Sequence, residues 1–203
     1  MRTTLRLALT LAAVAALLTL TSNLATPQVK APARSGVYQT ASDYRDGRLA
    51  FEGDCGSKAH KLELHDFLNK PYIDVTHDTE KRRFQKSELF GFRACDGRDY
   101  RFGANLAYWI LEAKALCIYM REIRVRSGKS TRAVPVYSFS VGPDGPLLPL
   151  TLEDLKRAFP ENHRFHDSLD LTFPGGRELA QYDEFHKMFK VNRLLMASHE
   201  KDN

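Results

Sequence analysis

His163, His166 and His186 lie near the C-terminal end of the chain, in ENHRFHDSLD (161–170) and YDEFHKMFK (182–190). Asp167, Asp170, Asp183 and Glu184 stand close by in sequence. Imidazoles with carboxylates are the donor set of zinc and other divalent centres. His163 and His166 are three residues apart, so on a helix their side chains share a face. His186 falls on a separate expected helix, and no H-E-x-x-H or other established ligand spacing is present. Phe165 and Leu169 mark the apolar side of the first helix and leave His166 at its edge. The residues therefore read as the polar sides of two helices, and neither metal nor cofactor is expected. A metal-binding protein or hydrolase built on the three histidines is the alternative reading.

Other motifs are weaker. RSGKST (126–131) contains the Gly-Lys-Ser tail of a phosphate loop, but Ile123 stands where that loop needs glycine. The TRAVPVY that follows is β-like, whereas a phosphate loop needs a helix N-terminus there. What remains is a basic hairpin tip with Arg121, Arg124, Arg126, Lys129 and Arg132, suited to anionic lipid or polysaccharide or simply keeping edge strands soluble. There is no G-x-S-x-G nucleophile elbow and no glycine-rich dinucleotide turn. Tyr108 and Trp109 are adjacent in a strand pattern, so one ring faces outward, a hint of a contact surface.

These residues need a scaffold, and the first part of the chain indicates where it forms. MRTTLR carries two arginines and no acid, and LALTLAAVAALLTL (7–20) is uninterruptedly apolar. That length suits a signal peptide better than a membrane span. A signal peptide over 1–25 and a flexible leader over 26–35 are expected. Cleavage after Ser22 or Ala25 fits the spacing; APA at 31–33 fits the small-x-small pattern farther downstream. An uncleaved N-terminal anchor is the alternative. Removing Arg2 and Arg6 lowers the formal charge from +5 to +3. Basic and acidic residues are interspersed, so no nucleic-acid partner is expected. Export to the periplasm or outer envelope would expose Cys55, Cys95 and Cys117 to oxidising conditions. Cys117 sits in an apolar strand pattern, while Cys55 and Cys95 occupy turn-like stretches, which favours a Cys55–Cys95 bridge.

The remainder is expected to be a single domain over 36–203, mainly β to residue 150 and helical over 151–200. Thr40 with Asp43 forms a capping box for a short helix ended by Gly47. Alternating AHKLELH and PYIDVTH, the Asp96-Gly97 turn between ELFGFRA and RDYRFG, and the runs YWILE, ALCIYMREIRVR and AVPVYSFSV predict strands. Pro135 predicts an edge or a strand start. Thr151 caps TLEDLKRAF, Pro160 stops it, and NHRFHDSLDLTF forms a second helix. A long helix is expected over 177–198, its stripe made of Leu179, Tyr182, Phe185, Phe189 and Met196. The fold class is α+β: an antiparallel meander or partly closed barrel followed by a C-terminal helical segment.

GVYQTASDY, ELFGFRACDGRDYRF, LTLEDLKRAFPENHRFHDSLD and YDEFHKMFKVNRLL resemble a group of uncharacterised exported proteins of Bacteroidetes. That resemblance implies an envelope location and carries no catalytic residues. The functional expectation is a non-enzymatic cell-envelope protein that binds a partner or small apolar ligand through its β surface, with Tyr108 and Trp109 as contact residues.

Overall fold

The computed structural model describes residues 33–128 and 130–199. The expected signal peptide, most of the expected leader and Lys129 lie outside the described residues.

The chain opens with β1 (Arg34–Tyr38), α1 (Ala41–Arg45) and β2 (Ala50–Asp54). Arg34 and Ser35 belong to β1, so ordered structure begins inside the stretch expected to be leader. Thr40 caps α1 through its Oγ1, which accepts the Asp43 N–H at 3.1 Å, while Asp43 returns the contact to the Thr40 N–H. Gly47 then takes φ +67°, the left-handed conformation that ends such a helix cheaply only for glycine.

Next come β3 (Lys61–Glu63), β4 (Tyr72–His77) and β5 (Glu80–Gln85), a separate three-stranded antiparallel sheet. The chain returns through β6 (Gly91–Arg93), β7 (Asp99–Gly103), β8 (Leu106–Ala113), β9 (Leu116–Ser127), β10 (Ser130–Val141) and β11 (Leu148–Pro149). These six strands run as a meander, with β1 and β2 added beyond β6 to make an eight-stranded antiparallel sheet. The sheet is open: β2 and β11 are its edges and do not pair, so the meander form holds and the partly closed barrel does not.

Alternation along paired strands sorts the side chains into two faces. One face presents Val37, Phe92 and Phe102 at one end and Leu116, Ile118 and Phe139 at the other. Ile73 and Val75 of the small sheet bury the first group. The second is buried by α2 (Leu152–Ala158), α3 (His163–Thr172) and α4 (Lys190–His199), through Leu155, Phe165, Leu169, Val191 and Leu195. The opposite face carries Ile110, Cys117 and Tyr119, packed by Tyr44, Phe90 and Leu147.

The C-terminal region departs from expectation. Residues 177–198 are not one helix. Leu179 is buried, but β12 (Tyr182–Asp183) and β13 (Met188–Phe189) then form a small hairpin before α4. The Asp183 carboxylate accepts the Phe185 and His186 N–H groups at 3.1 and 3.0 Å, an Asx turn that competes with helix, and Lys187 takes φ +52°. Phe189 is buried, whereas Phe185 at the hairpin tip is 88% exposed and Met196 is 47% exposed. The apolar stripe expected along one helix therefore does not exist.

Candidate functional site

The C-terminal histidines do not converge. His163 is exposed at the start of α3, its ring 5.9 Å from that of His166. His166 is committed to the Phe159 carbonyl through Nε2 at 2.9 Å. His186 sits on the β12–β13 hairpin and contacts Asp183 through Nδ1 at 2.8 Å. Asp170 is taken by Lys156. His166, His186 and Asp170 thus each have a local partner and do not face one another.

Among the described residues, metal-type donors converge instead at Glu63, His65 and Asp74, whose ligand atoms lie within 4.8 Å of one another. The register explains the meeting: Glu63 pairs with Asp74 across β3 and β4, and His65 follows two residues on. Cations already fill this cluster. Arg83 grips Asp74 with Nε and Nη2 at 2.8 and 3.1 Å, and Lys81 and His65 contact Oδ2 at 3.3 and 3.0 Å. Lys61 and Lys81 each donate to Glu63 at 2.7 Å. Arg83 holds the Asp74 carboxyl far below the usual carboxylate range, and Lys61 and Lys81 hold Glu63 at about 2. A divalent ion would have to displace three cationic side chains, so the arrangement fits a structural ion-pair network.

Ser35 and His60 form a nucleophile-and-base pair by distance alone, with Ser35 Oγ 2.8 Å from His60 Nε2. Both are buried, and the His60 Nδ1 that a third group should orient has no partner among the described residues. Burial also lowers the His60 pKa, opposing its work as a proton acceptor. Acyl transfer needs an accessible nucleophile and an oriented base, and neither condition is met. Packing explains the pair better: a Cβ on Gly53 would fall 2.3 Å from the His60 ring.

An open cleft of about 520 Å³ lies beside α1, lined by Tyr44, Arg45, Arg93, Asp99, Lys114 and Cys117. Its charges are matched internally. Arg93 is bidentate to Asp99 at 2.8 and 2.9 Å, Arg45 reaches Asp144 at 2.6 Å, and Lys114 lies 3.6 Å from Glu112. The Tyr38 hydroxyl donates to Asp99 at 2.9 Å. Burial pushes the Cys117 thiol up, so the leftover cysteine is held as an unreactive thiol. Beneath it, Arg101 donates to Tyr119 and Ser140 at 3.0 and 3.1 Å, and burial raises Tyr119 to about 12. With its charged side chains matched internally, the cleft offers no unpaired cation among the described residues to hold an anion.

Tyr108 and Trp109 point to opposite faces of the sheet, Tyr108 beside Arg101 and Trp109 between Tyr100 and Met120. Both are half-buried. The Arg98 guanidinium lies 4.3 Å from the Trp109 ring centre and Arg121 lies 5.8 Å from that of Tyr108. The two rings cannot form one contact patch. Cys55 and Cys95 are joined, with Cα atoms 5.6 Å apart, tying the end of β2 to the turn after β6.

The surface that sequence reasoning undervalued is the outer half of the β9–β10 hairpin. β8 pairs with β9 only as far as Met120, and β11 pairs with β10 only at Ser138 and Phe139. From Arg121 to Ser127, and from Ser130 to Val136, each strand has only the other as ladder partner among the described residues. Six strand steps at about 3.3 Å give a ribbon roughly 20 Å long. Residues 124–128 and 130–133 are exposed, so this ribbon stands off the body of the fold. Cross-strand pairing puts Ile123, Val125, Val134 and Val136 on one side with Arg121 and Arg132, and Glu122, Arg124 and Arg126 on the other. Pro135 sits where β10 is an edge, in keeping with its missing N–H. The alternation was readable in the sequence; the early end of the flanking strands was not.

No family model, curated protein or solved structure matches the chain.

Proposed function

We propose that the chain is an exported, non-enzymatic binding protein of the cell envelope that engages its target through the β9–β10 ribbon. The observation that carries this reading is the ribbon itself. A two-stranded hairpin is marginal in water, and open edges invite unwanted pairing. An extension with two open edges and an aliphatic side has little structural use unless something meets it. The donors of the Glu63–His65–Asp74 cluster are already held by Arg83, Lys61 and Lys81, and Ser35 is buried against His60, which supports binding over catalysis at those two clusters.

Export draws support from two directions. The N-terminal residues have the charge and apolar run of a signal peptide. The Cys55–Cys95 bridge belongs to an oxidising compartment. Both accord with the resemblance to exported Bacteroidetes proteins and with a periplasmic or outer-envelope location.

Photo-crosslinking in intact envelopes tests the proposal. A photoreactive residue at Val125 or Arg132 should give adducts, and one at the exposed Glu161 should not. Adducts formed from the cleft at Arg45, with none from the ribbon, would move the binding surface to the cleft and end this reading.

A further inference from the structure

We infer that the β9–β10 ribbon docks on an anionic lipid surface, lying at the level of the headgroups with its aliphatic side toward the acyl chains. This rests on the ribbon being the binding surface and names what it meets.

Charge is the first argument. Between residues 121 and 136 the sequence places Arg121, Arg124, Arg126, Lys129 and Arg132 against the single acid Glu122. Several arginines elsewhere are paired with acids, Arg83 with Asp74, Arg93 with Asp99 and Arg193 with Asp183. The four ribbon arginines make no ion pair among the described residues; Arg126 reaches only the Gly128 carbonyl, at 3.3 Å. A cluster of uncompensated cations on a projecting element is complementary to an anionic surface.

The second argument is the division between the two sides. Ile123, Val125, Val134 and Val136 form a continuous aliphatic strip, with Val125 37% exposed. Arg121 and Arg132 flank that strip, and their long stems can lie along it while the guanidinium groups rise to phosphate. Arg124 and Arg126 on the other side remain in the aqueous headgroup layer. An aliphatic strip bordered by cations is the pattern of an element that lies in a membrane interface.

The open edges set the depth. Unpaired backbone N–H and C=O groups cannot enter hydrocarbon without partners, but headgroups and interfacial water supply them. The ribbon therefore lies at the interface and does not span. A protein strand added to the same edge would use the backbone groups and leave five cations unused.

Vesicle sedimentation of the full chain is the test, using phosphatidylcholine alone or mixed with phosphatidylglycerol. The N-terminal segment is common to all variants, so differences between them report the ribbon. The wild-type chain should bind the mixed vesicles more tightly, and high salt should release it. Each cation near an anionic surface contributes roughly fivefold in affinity, so Arg124→Gln with Arg126→Gln should cost about twenty-five-fold on mixed vesicles. The same pair should leave binding to pure phosphatidylcholine unchanged, and Lys58→Gln with Lys70→Gln should leave the mixed-vesicle affinity intact. Val125→Ser with Val134→Ser should weaken binding to both compositions. Unchanged thermal midpoints would show that the variants fold. Equal binding of wild type and the arginine pair to mixed vesicles would overturn the inference. Ribbon crosslinks to protein, with no preference for phosphatidylglycerol, would overturn lipid docking and keep the ribbon as the binding surface; crosslinks that avoid the ribbon would remove both.

Discussion

Asn192 of α4 clasps the backbone of Leu116 at the start of β9. Its Oδ1 accepts the Leu116 N–H at 2.9 Å and its Nδ2 donates to the Leu116 carbonyl at 2.8 Å. The same Nδ2 reaches Glu112 Oε2 at 2.6 Å. Asn192 is fully buried, so this amide substitutes for a strand neighbour and fixes the last helix against the sheet. Removing it strands the buried Leu116 N–H, takes a donor from Glu112, and leaves the Leu116 C=O only a long contact with the Lys114 N–H at 3.4 Å. Each unsatisfied buried group costs about 1–3 kcal/mol. Asn192→Leu should therefore lower unfolding free energy by several kcal/mol although Leu is more apolar, and chemical denaturation would read the loss directly.

Phe185 and Phe189 behave oppositely despite their helical spacing. Phe189 is 7% exposed and belongs to the core beneath the helices; Phe185 is 88% exposed. Phe189→Ala should cost about 3–5 kcal/mol, as core truncations of aromatics do. Phe185→Ala should stay within about 0.5 kcal/mol, as surface changes usually do. A thermal or denaturant midpoint for each variant settles the contrast, and a large loss at Phe185 would restore the helical stripe.

That contrast shows where the sequence was readable. Local signals survived: the Thr40–Asp43 capping box, the Asp96-Gly97 turn, the Thr151 cap and the polar tip between β9 and β10 all stand where their residue types place them. Each depends on neighbours within a few residues. The C-terminal stripe failed because Tyr182, Phe185 and Phe189 satisfy helical spacing while Asp183 supplies a turn that wins locally. The Glu63–His65–Asp74 cluster was invisible because it depends on the β3–β4 register. The ribbon was half legible: its arginines and alternation can be read, but the points where β8 and β11 stop pairing are tertiary facts.

Asp74 gives a pH prediction. Arg83 foremost, then His65 and Lys81, lower its folded pKa from the ordinary 3.8. Lys61 and Lys81 lower Glu63 from 4.5 to about 2. A carboxylate whose folded pKa is depressed stabilises the native state fully above its unfolded pKa and loses that contribution as pH falls toward the folded value. Hydrogen bonds to a charged group are worth about 1.5–3 kcal/mol. Asp74→Asn should accordingly be less stable than wild type at pH 7. The gap should narrow steadily below about pH 4, where the unfolded carboxylate begins to bind protons. Parallel denaturation curves from pH 7 to pH 2 would measure it. A gap that stays constant across that range would show that the ion-pair network does not stabilise the small sheet.

Lys86 offers the sharpest test of how a buried charge is tolerated. Its side chain is fully buried between the two sheets' connecting segments. Its ammonium donates to Asp66 at 2.7 Å and to the Asn105 carbonyl at 3.0 Å, and lies 5.6 Å from the Phe102 ring centre. The Asn105 contact clamps the β7–β8 turn, where Ala104 and Asn105 both take positive φ. Truncating one partner of such a pair leaves the other charge without compensation, whereas an apolar residue of similar length removes the charge itself. Asp66 is 47% exposed, so water offsets part of its loss. Asp66→Ala should still cost about 1–3 kcal/mol, because the ammonium keeps only a carbonyl and a ring face. Lys86→Met should cost less than about 1.5 kcal/mol, since the stem volume is kept and Asp66 can rehydrate. Combining the two should cost little more than Lys86→Met alone, because the acid has no buried charge left to serve. Denaturant midpoints of the two single variants and the double variant form the cycle. If Lys86→Met proves the more damaging single change, the ammonium's bond to the Asn105 turn, and not its pairing with Asp66, is what this buried lysine provides.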